Sequence, residues 1–306
     1  MTAKTRVTWL LRLLVSTGLL AWIVTRPEVG KLGAEWHRMD LKWLLGGWFC
    51  AGLAQALSAW RWQACLEALG MKIPLGRLLG VTLAGSAAGC FSVGALGADL
   101  AKMLLAGSEL RGRQGGVLSS LALDHASAIP CVALMVTLAV LTHGGLPIMS
   151  TPGAWPLLAL VVVIVAITTV VSWKCQRFHV EIMRVLADRA TWRGFLIAAM
   201  RSVPMWLAFC GIYYCAARAF GVAVPVVGFA GVIAIADGVA SLPITIGGLG
   251  VREQAFQSLL LNWYGVVPAS AIALSLTGFA LTLAWAAIGA FCLGGRFHSS
   301  EKSQIS

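Results

Sequence analysis

"SLPITIGGLGVRE", residues 241–253, decides how this chain folds. Pro243 removes a backbone donor, and Gly247, Gly248 and Gly250 free the backbone from helical geometry. Arg252 and Glu253 follow at once, although the surrounding sequence is apolar. Irregular backbone survives at membrane depth only where protein covers it or where it lines a wet cavity. The stretch reads as a helix broken inside a membrane domain, with two charges at the mouth of the break. The competing reading is a polar cap on an ordinary helix that ends at the interface.

Composition supplies the membrane. Of 306 residues, 59% are hydrophobic and 11% charged, and the apolar runs recur along the whole length, well outside the range of a soluble domain. A hydrocarbon core about 30 Å thick needs roughly 20 apolar residues per helix. Candidate segments are 7–25, 43–60, 78–101, 116–141, 156–173, 195–217, 228–251 and 268–292. The first follows Lys4 and Arg6 but lacks a small-residue cleavage pattern, so it is expected to be retained as a helix. The net charge of +11 sits in short loops beside the apolar segments, which points to orientation and anionic headgroups and not to nucleic acid. Eight cysteines are scattered through apolar runs without metal spacing and read as small core residues.

Charge then places the loops. Basic clusters flank segment 78–101 on both sides (Arg61, Lys72 and Arg77 before it; Lys102, Arg111 and Arg113 after), whereas 142–156 carries no Lys or Arg. The positive-inside rule puts both clusters in the cytoplasm, so 78–101 must enter and return. If 228–251 is a second hairpin entered from outside, the remaining loops alternate correctly: six crossings, two hairpins, both termini cytoplasmic, and 296–306 as a cytoplasmic tail. Self-similarity agrees. "ALGMKIP" (68–74) and "AFGVAVP" (219–225) match at a shift of 151 residues, which also superposes Gly80 on Gly231, Val81 on Val232 and Gly97 on Gly248. The expected architecture is a single all-α polytopic membrane domain over 1–306, with six to eight hydrophobic helices. It holds two re-entrant, Gly-rich broken hairpins in an inverted repeat of about 40–145 and 191–295. The expected bends are Gly94 and Gly97 in the first hairpin, and Pro243, Gly247, Gly248 and Gly250 in the second. Inverted repeats with broken helices mark transporters that bind substrate near the midplane.

Four carboxylates, Asp99, Asp124, Asp237 and Glu253, lie in or beside apolar segments. Insertion of such a charge costs at least about 2.5 kcal/mol, so each needs a partner or a task. Arg12, Arg61, Lys102, Arg201 and Arg252 are the cations available to them. Asp99 is a functional group or a helix N-cap. Lys102, one turn beyond it, either neutralises it or presents a cation to phosphate. Asp124 and His125 are adjacent and do not share a helix face, so they should have different partners. His125 is a proton relay or a buried hydrogen-bonding group. Arg201 binds a lipid phosphate or snorkels to the interface. Arg61, between Trp60 and Trp62, reads first as an interfacial anchor, with headgroup recognition as its other role. There is no GxxxxGK[ST], HExxH or GxSxG in the sequence, so neither ATP-driven nor hydrolytic chemistry is indicated, and no cofactor or metal is expected.

With "LPITIGGLGVREQAF", "RWQACLEALG" and "GALGADLAKMLL", the chain resembles the transmembrane region of the lysylphosphatidylglycerol synthases, the flippase-like UPF0104 family, over roughly residues 7–295. The resemblance implies a bacterial or archaeal integral membrane protein associated with moving lipid across the bilayer. The family's Gly-Gly-Asp followed by Arg appears here as Gly97, Ala98, Asp99 and Lys102, and its Asp-Arg as Asp124 and His125. No aminoacyl-transferase domain is expected within 306 residues, and lysyl transfer is not carried over. The leading expectation is a lipid translocase of the inner membrane that is not driven by ATP. Arg201, Arg252 and Lys102 would hold an anionic headgroup, while Asp99, Asp124, Asp237 and Glu253 balance charge or couple transport to protons. The alternatives are a non-catalytic scaffold for enzymes of a lipid, hopanoid or glycolipid pathway, and an intramembrane lipid-modifying enzyme with Asp124 or Glu253 as base.

Overall fold

A computed structural model describes residues 39–90, 94–110, 113–143, 188–241 and 245–303. The candidate segments 7–25 and 156–173, Arg12 and Pro243 lie outside these residues. All the regular structure among them is helical: α1 Leu41–Ala68, α2 Leu75–Cys90, α3 Gly94–Glu109, α4 Gln114–His143, α5 Arg189–Ala219, α6 Val226–Ala240, α7 Val251–Tyr264 and α8 Pro268–Ser303. A single 3₁₀ turn, Ile246–Gly248, joins α6 to α7. Three of the described helices are long and apolar enough to span a bilayer: α4, α5 and residues Pro268–Gly289 of α8. The chain is thus a multi-pass membrane protein.

Local chemistry sets the helix ends. Asp40 caps α1 by accepting from the Lys42 amide at 2.9 Å, and Asp188 caps α5 by accepting from the Thr191 amide at 3.3 Å. Both helices close in the same way. Gly70 (φ 68°) and Gly221 (φ 70°) supply the left-handed residue. Met71 N–H then reaches the Leu66 carbonyl, and Val222 N–H the Ala217 carbonyl, each at 2.9 Å. Pro74 and Pro225 follow. Ala68 and Ala219, the two helix ends, are 151 residues apart, and so are Leu75 and Val226, where α2 and α6 begin.

Packing follows the same correspondence. α1 packs along α5, α2 lies on α8, and α6 lies on α4. On the α1/α5 seam a Cβ on Gly194 would collide with Ala68, one on Gly211 would come within 2.9 Å of Cys50 Sγ, and one on Gly47 within 3.3 Å of Cys215 Cβ. Numbers rise along α1 as they fall along α5, so the two helices run antiparallel. Small residues at these points let the backbones approach, which is how helices associate where lipid offers no hydrophobic drive. Two apolar clusters flank the seam, one around Trp62, Leu66, Leu78 and Leu121, the other around Tyr213, Phe229, Phe256 and Leu260.

The two expected broken segments differ from each other. Segment 228–251 ends as a helix at Ala240 and restarts at Val251, with Gly247, Gly248 and Gly250 at φ 62°, 75° and 87°. In the first segment the helix stops at Cys90 and restarts at Gly94, and Gly97 lies inside α3 with its neighbours. Gly97 is therefore not a bend, and Gly94 is the first residue after one. A glycine inside a helix costs only about 1 kcal/mol and does not by itself break it. The breaks meet at Gly247, where a Cβ would come 2.9 Å from the Cys90 carbonyl oxygen.

Candidate functional site

Where the two breaks meet there is a cavity of about 360 Å³. Its walls include the ends of α2 and α6: Gly89 and Cys90 on one side, Ala240 and its C-cap Ser241 on the other. Many lining residues form pairs separated by 151 positions, among them Gln55 with Trp206, Ser58 with Phe209 and Ser86 with Asp237. Its acidic and basic lining side chains are Arg61, His125, Asp237 and Arg252.

Each of these has a partner of opposite type. Arg61 on α1 donates from Nε to Asp124 Oδ1 and from Nη2 to Asp124 Oδ2, both at 2.7 Å. This is the parallel fork geometry in which guanidinium and carboxylate bind best. His125 Nε2 lies 2.8 Å from Asp99 Oδ2. Arg252 Nη2 stands 3.6 Å from Asp237 Oδ1, across the break between α6 and α7, and its guanidinium carbon is 5.3 Å from the Phe279 ring centre. As adjacent helical residues should, Asp124 and His125 point to different partners.

The guanidiniums are not fully used. Arg61 Nη1 and Arg252 Nε and Nη1 are buried and have no hydrogen-bond partner among the described residues. A buried donor left unmade costs about 1–3 kcal/mol, more when charged. Both arginines line the same cavity, and because these nitrogens are themselves enclosed, an acceptor-rich anion there would satisfy them once the guanidiniums turn toward it.

The remaining expected site residues are placed elsewhere. Glu253 is fully buried, and both its oxygens are engaged: Oε2 accepts from the Gly250 amide at 2.5 Å and Oε1 from Ser275 Oγ at 3.1 Å. Its spacing, three residues into α7, is that of a capping box. Asp99 is well inside α3 and so is not its N-cap. Lys102 does not pair with Asp99; its Nζ lies 5.7 Å from the Trp62 ring centre. Arg201 donates from Nη1 to the Trp60 carbonyl at 2.7 Å and stacks over the Trp60 ring at 4.2 Å. Neither Lys102 nor Arg201 lines the cavity.

Arg61 is the main correction. It is 6% exposed and ion-paired, not anchored at an interface. Its tryptophan neighbours drew the interfacial reading, but Trp62 is itself buried and donates from Nε1 to Ser120 Oγ at 3.0 Å. The signal that marks Arg61 is Asp124, which needs a cation. Gln55 and Ser86, joined at 3.1 Å on the cavity wall, are polar residues in apolar helices that the sequence reading passed over.

No curated protein sequence matches the chain. The model of one protein family does, over residues 9–289, and that match takes in both helix breaks and every residue of the cavity wall. Extending over nearly the whole length, it makes the chain a member of the family described as the lysylphosphatidylglycerol synthase TM region, a flippase-like membrane family.

Proposed function

We propose that this protein translocates a lipid with an anionic headgroup across a bacterial cytoplasmic membrane, with the headgroup in the cavity and the acyl or prenyl tail in lipid. The observation that carries the reading is the set of unpartnered donors, Arg61 Nη1 and Arg252 Nε and Nη1, on two residues that line one cavity. Family membership favours lipid as the cargo.

The architecture fits alternating access. If the halves 40–145 and 191–295 are repeats, α1 and α5 are counterparts, and their antiparallel packing makes the repeats inverted about an axis in the membrane plane. α2 with α3 and α6 with α7 then form two re-entrant hairpins that enter from opposite faces. Their tips meet at the Cys90–Gly247 contact, and the wall pairs separated by 151 residues surround the axis. Rocking one half against the other would open the same site to either leaflet. On this topology the termini are cytoplasmic. Asp124 and Asp237 hold the two arginines in place for the headgroup, and Arg201 and Lys102 are basic groups along its approach.

Reconstitution tests the reading. The purified protein is placed in phosphatidylcholine vesicles with a trace of fluorescent phosphatidylglycerol, and outer-leaflet dye is quenched over time. The expected result is accelerated exchange of the anionic lipid that Arg252→Ala lowers strongly. No transfer of any of several anionic lipids would overturn the proposal. A chemically altered lipid in mass spectrometry would indicate a lipid-modifying enzyme instead.

A further inference from the structure

We infer that the cavity takes up one proton with each anion it binds, and that His125, paired to Asp99, carries it. The inference rests on the anion-translocating reading above and names its coupling ion.

The argument is a charge count around the cavity. Arg61 and Asp124 cancel as a pair, and Arg252 and Asp237 cancel as a second. Asp99 is different, because the group facing it at 2.8 Å is an imidazole. Histidine is the side chain that changes charge between pH 5 and 8. Among the charged groups on the elements around α4 and the cavity are Arg61 on α1, Asp99 and Lys102 on α3, Arg201 on α5, Asp237 on α6, and Arg252 and Glu253 on α7, with Glu253 held by Gly250 N–H and Ser275 Oγ. Lys102 lies over Trp62, and Arg201 is bound to Trp60, so neither stands as an ion-pair partner of Asp99. With a neutral imidazole the three pairs together carry one negative charge; with an imidazolium they carry none.

An anion entering the first state is repelled by Asp99, whose facing group at the cavity wall is then neutral. In the second state that repulsion is gone, while the open donors of Arg61 and Arg252 are unchanged. His125 lines the cavity, so a proton can reach it from there while Arg61 and Asp124 stay buried. Linkage is reciprocal: a proton on His125 tightens anion binding, and a bound anion holds that proton by the same factor. Return of the empty carrier after deprotonation makes the cycle a symport of one anion with one proton. A proton gradient would then drive transport without a nucleotide.

Vesicles carrying fluorescent phosphatidylglycerol at trace level, with pyranine inside, supply the test. A phosphodiester does not titrate in this range, so any pH dependence belongs to the protein. The wild type is expected to transfer the lipid faster as pH falls from 8 to 5.5. Uptake of one proton sets a limit of about tenfold per pH unit, and we expect at least about threefold over this range, with lumenal pyranine reporting proton entry in step with the lipid. Asp99→Asn removes the carboxylate and is expected to flatten the profile, as is His125→Gln. Transfer at one rate across the range, or a wild-type slope that persists in both variants, overturns the coupling and leaves translocation standing. No transfer at any pH removes both readings together.

Discussion

Arg61 and Asp124 sit 63 residues apart in sequence, on helices α1 and α4, and meet through two 2.7 Å hydrogen bonds with side chains 7% and 3% exposed. Taking one away leaves the other charged and without its partner, which costs about 3–5 kcal/mol, whereas an apolar pair of similar volume is close to neutral. Asp124→Ala is therefore expected to lower stability in detergent by that amount, and Arg61→Met with Asp124→Leu to recover most of it. Denaturant unfolding of the three proteins is the check. Transport should not recover with stability, because the double variant has lost a cavity guanidinium.

The glycines of the break allow a graded experiment. Gly265 and Gly247 have nearly the same positive φ, 64° and 62°, but a Cβ at Gly265 meets nothing within 4 Å, and one at Gly247 comes 2.9 Å from the Cys90 carbonyl oxygen. Alanine at Gly265 should cost only the left-handed conformation, about 1–2 kcal/mol. Alanine at Gly247 should cost that plus displacement of the α2 end, and it should impair lipid transfer, since Cys90 and Gly247 both line the cavity. Equal effects on transfer would separate the break from the site.

Much of this is legible in the sequence, and the parts that are not share a cause. Local rules found the second break, because three glycines and a proline in an apolar run have few other uses. A fixed shift of 151 residues matched Gly70 to Gly221 and Pro74 to Pro225, and the helix ends in the structure keep that spacing. Long-range pairing was not legible. Five cations were available to four carboxylates, and nothing local assigns Asp124 to Arg61 rather than to Arg201. The placement of Gly97 failed for a related reason: a helix stops where its partners end its packing, and a glycine within it is only a weak punctuation mark.

Arg252→Lys separates charge from geometry. Lysine keeps the positive charge opposite Asp237 but loses Nε and the planar fork, and Arg252 Nε and Nη1 are donors the protein leaves open. A hydrogen bond to a charged group is worth about 1.5–3 kcal/mol, so lipid affinity in the variant should fall by about 10- to 100-fold. The readout is the concentration dependence of transfer; an unchanged half-saturation would remove Arg252 from the proposed headgroup site.

Glu253 is expected to behave as a cap. Both carboxylate oxygens are committed to protein donors, Gly250 N–H and Ser275 Oγ, and it is absent from the cavity wall. Glu253→Gln keeps one acceptor oxygen and should retain most transfer activity, while Glu253→Ala should destabilise the fold by about 1–3 kcal/mol. Loss of transfer in a stably folded Glu253→Gln protein would give this carboxylate a part in coupling.

Topology is tested with single cysteines in a background cleared of the native eight. Ala106 and Val224 are buried and would report packing and not sidedness, so Ser108 and Ala223, both exposed, are the better positions. Ser108 closes the first proposed hairpin, and Ala223 lies before the second. If the halves are inverted, an impermeant maleimide should label Ser108→Cys from the cytoplasm and Ala223→Cys from outside. Their positions in the two halves differ, so one probe cannot stand for the other. Labelling of Ser108→Cys from outside would make α2 with α3 a full crossing. The antiparallel packing of α1 with α5 would still hold, because it follows from contacts such as Trp60 with Arg201 and Ala68 with Gly194. The hairpins would then have to be abandoned while the antiparallel seam survives, and the cavity would need access by a route other than their tips.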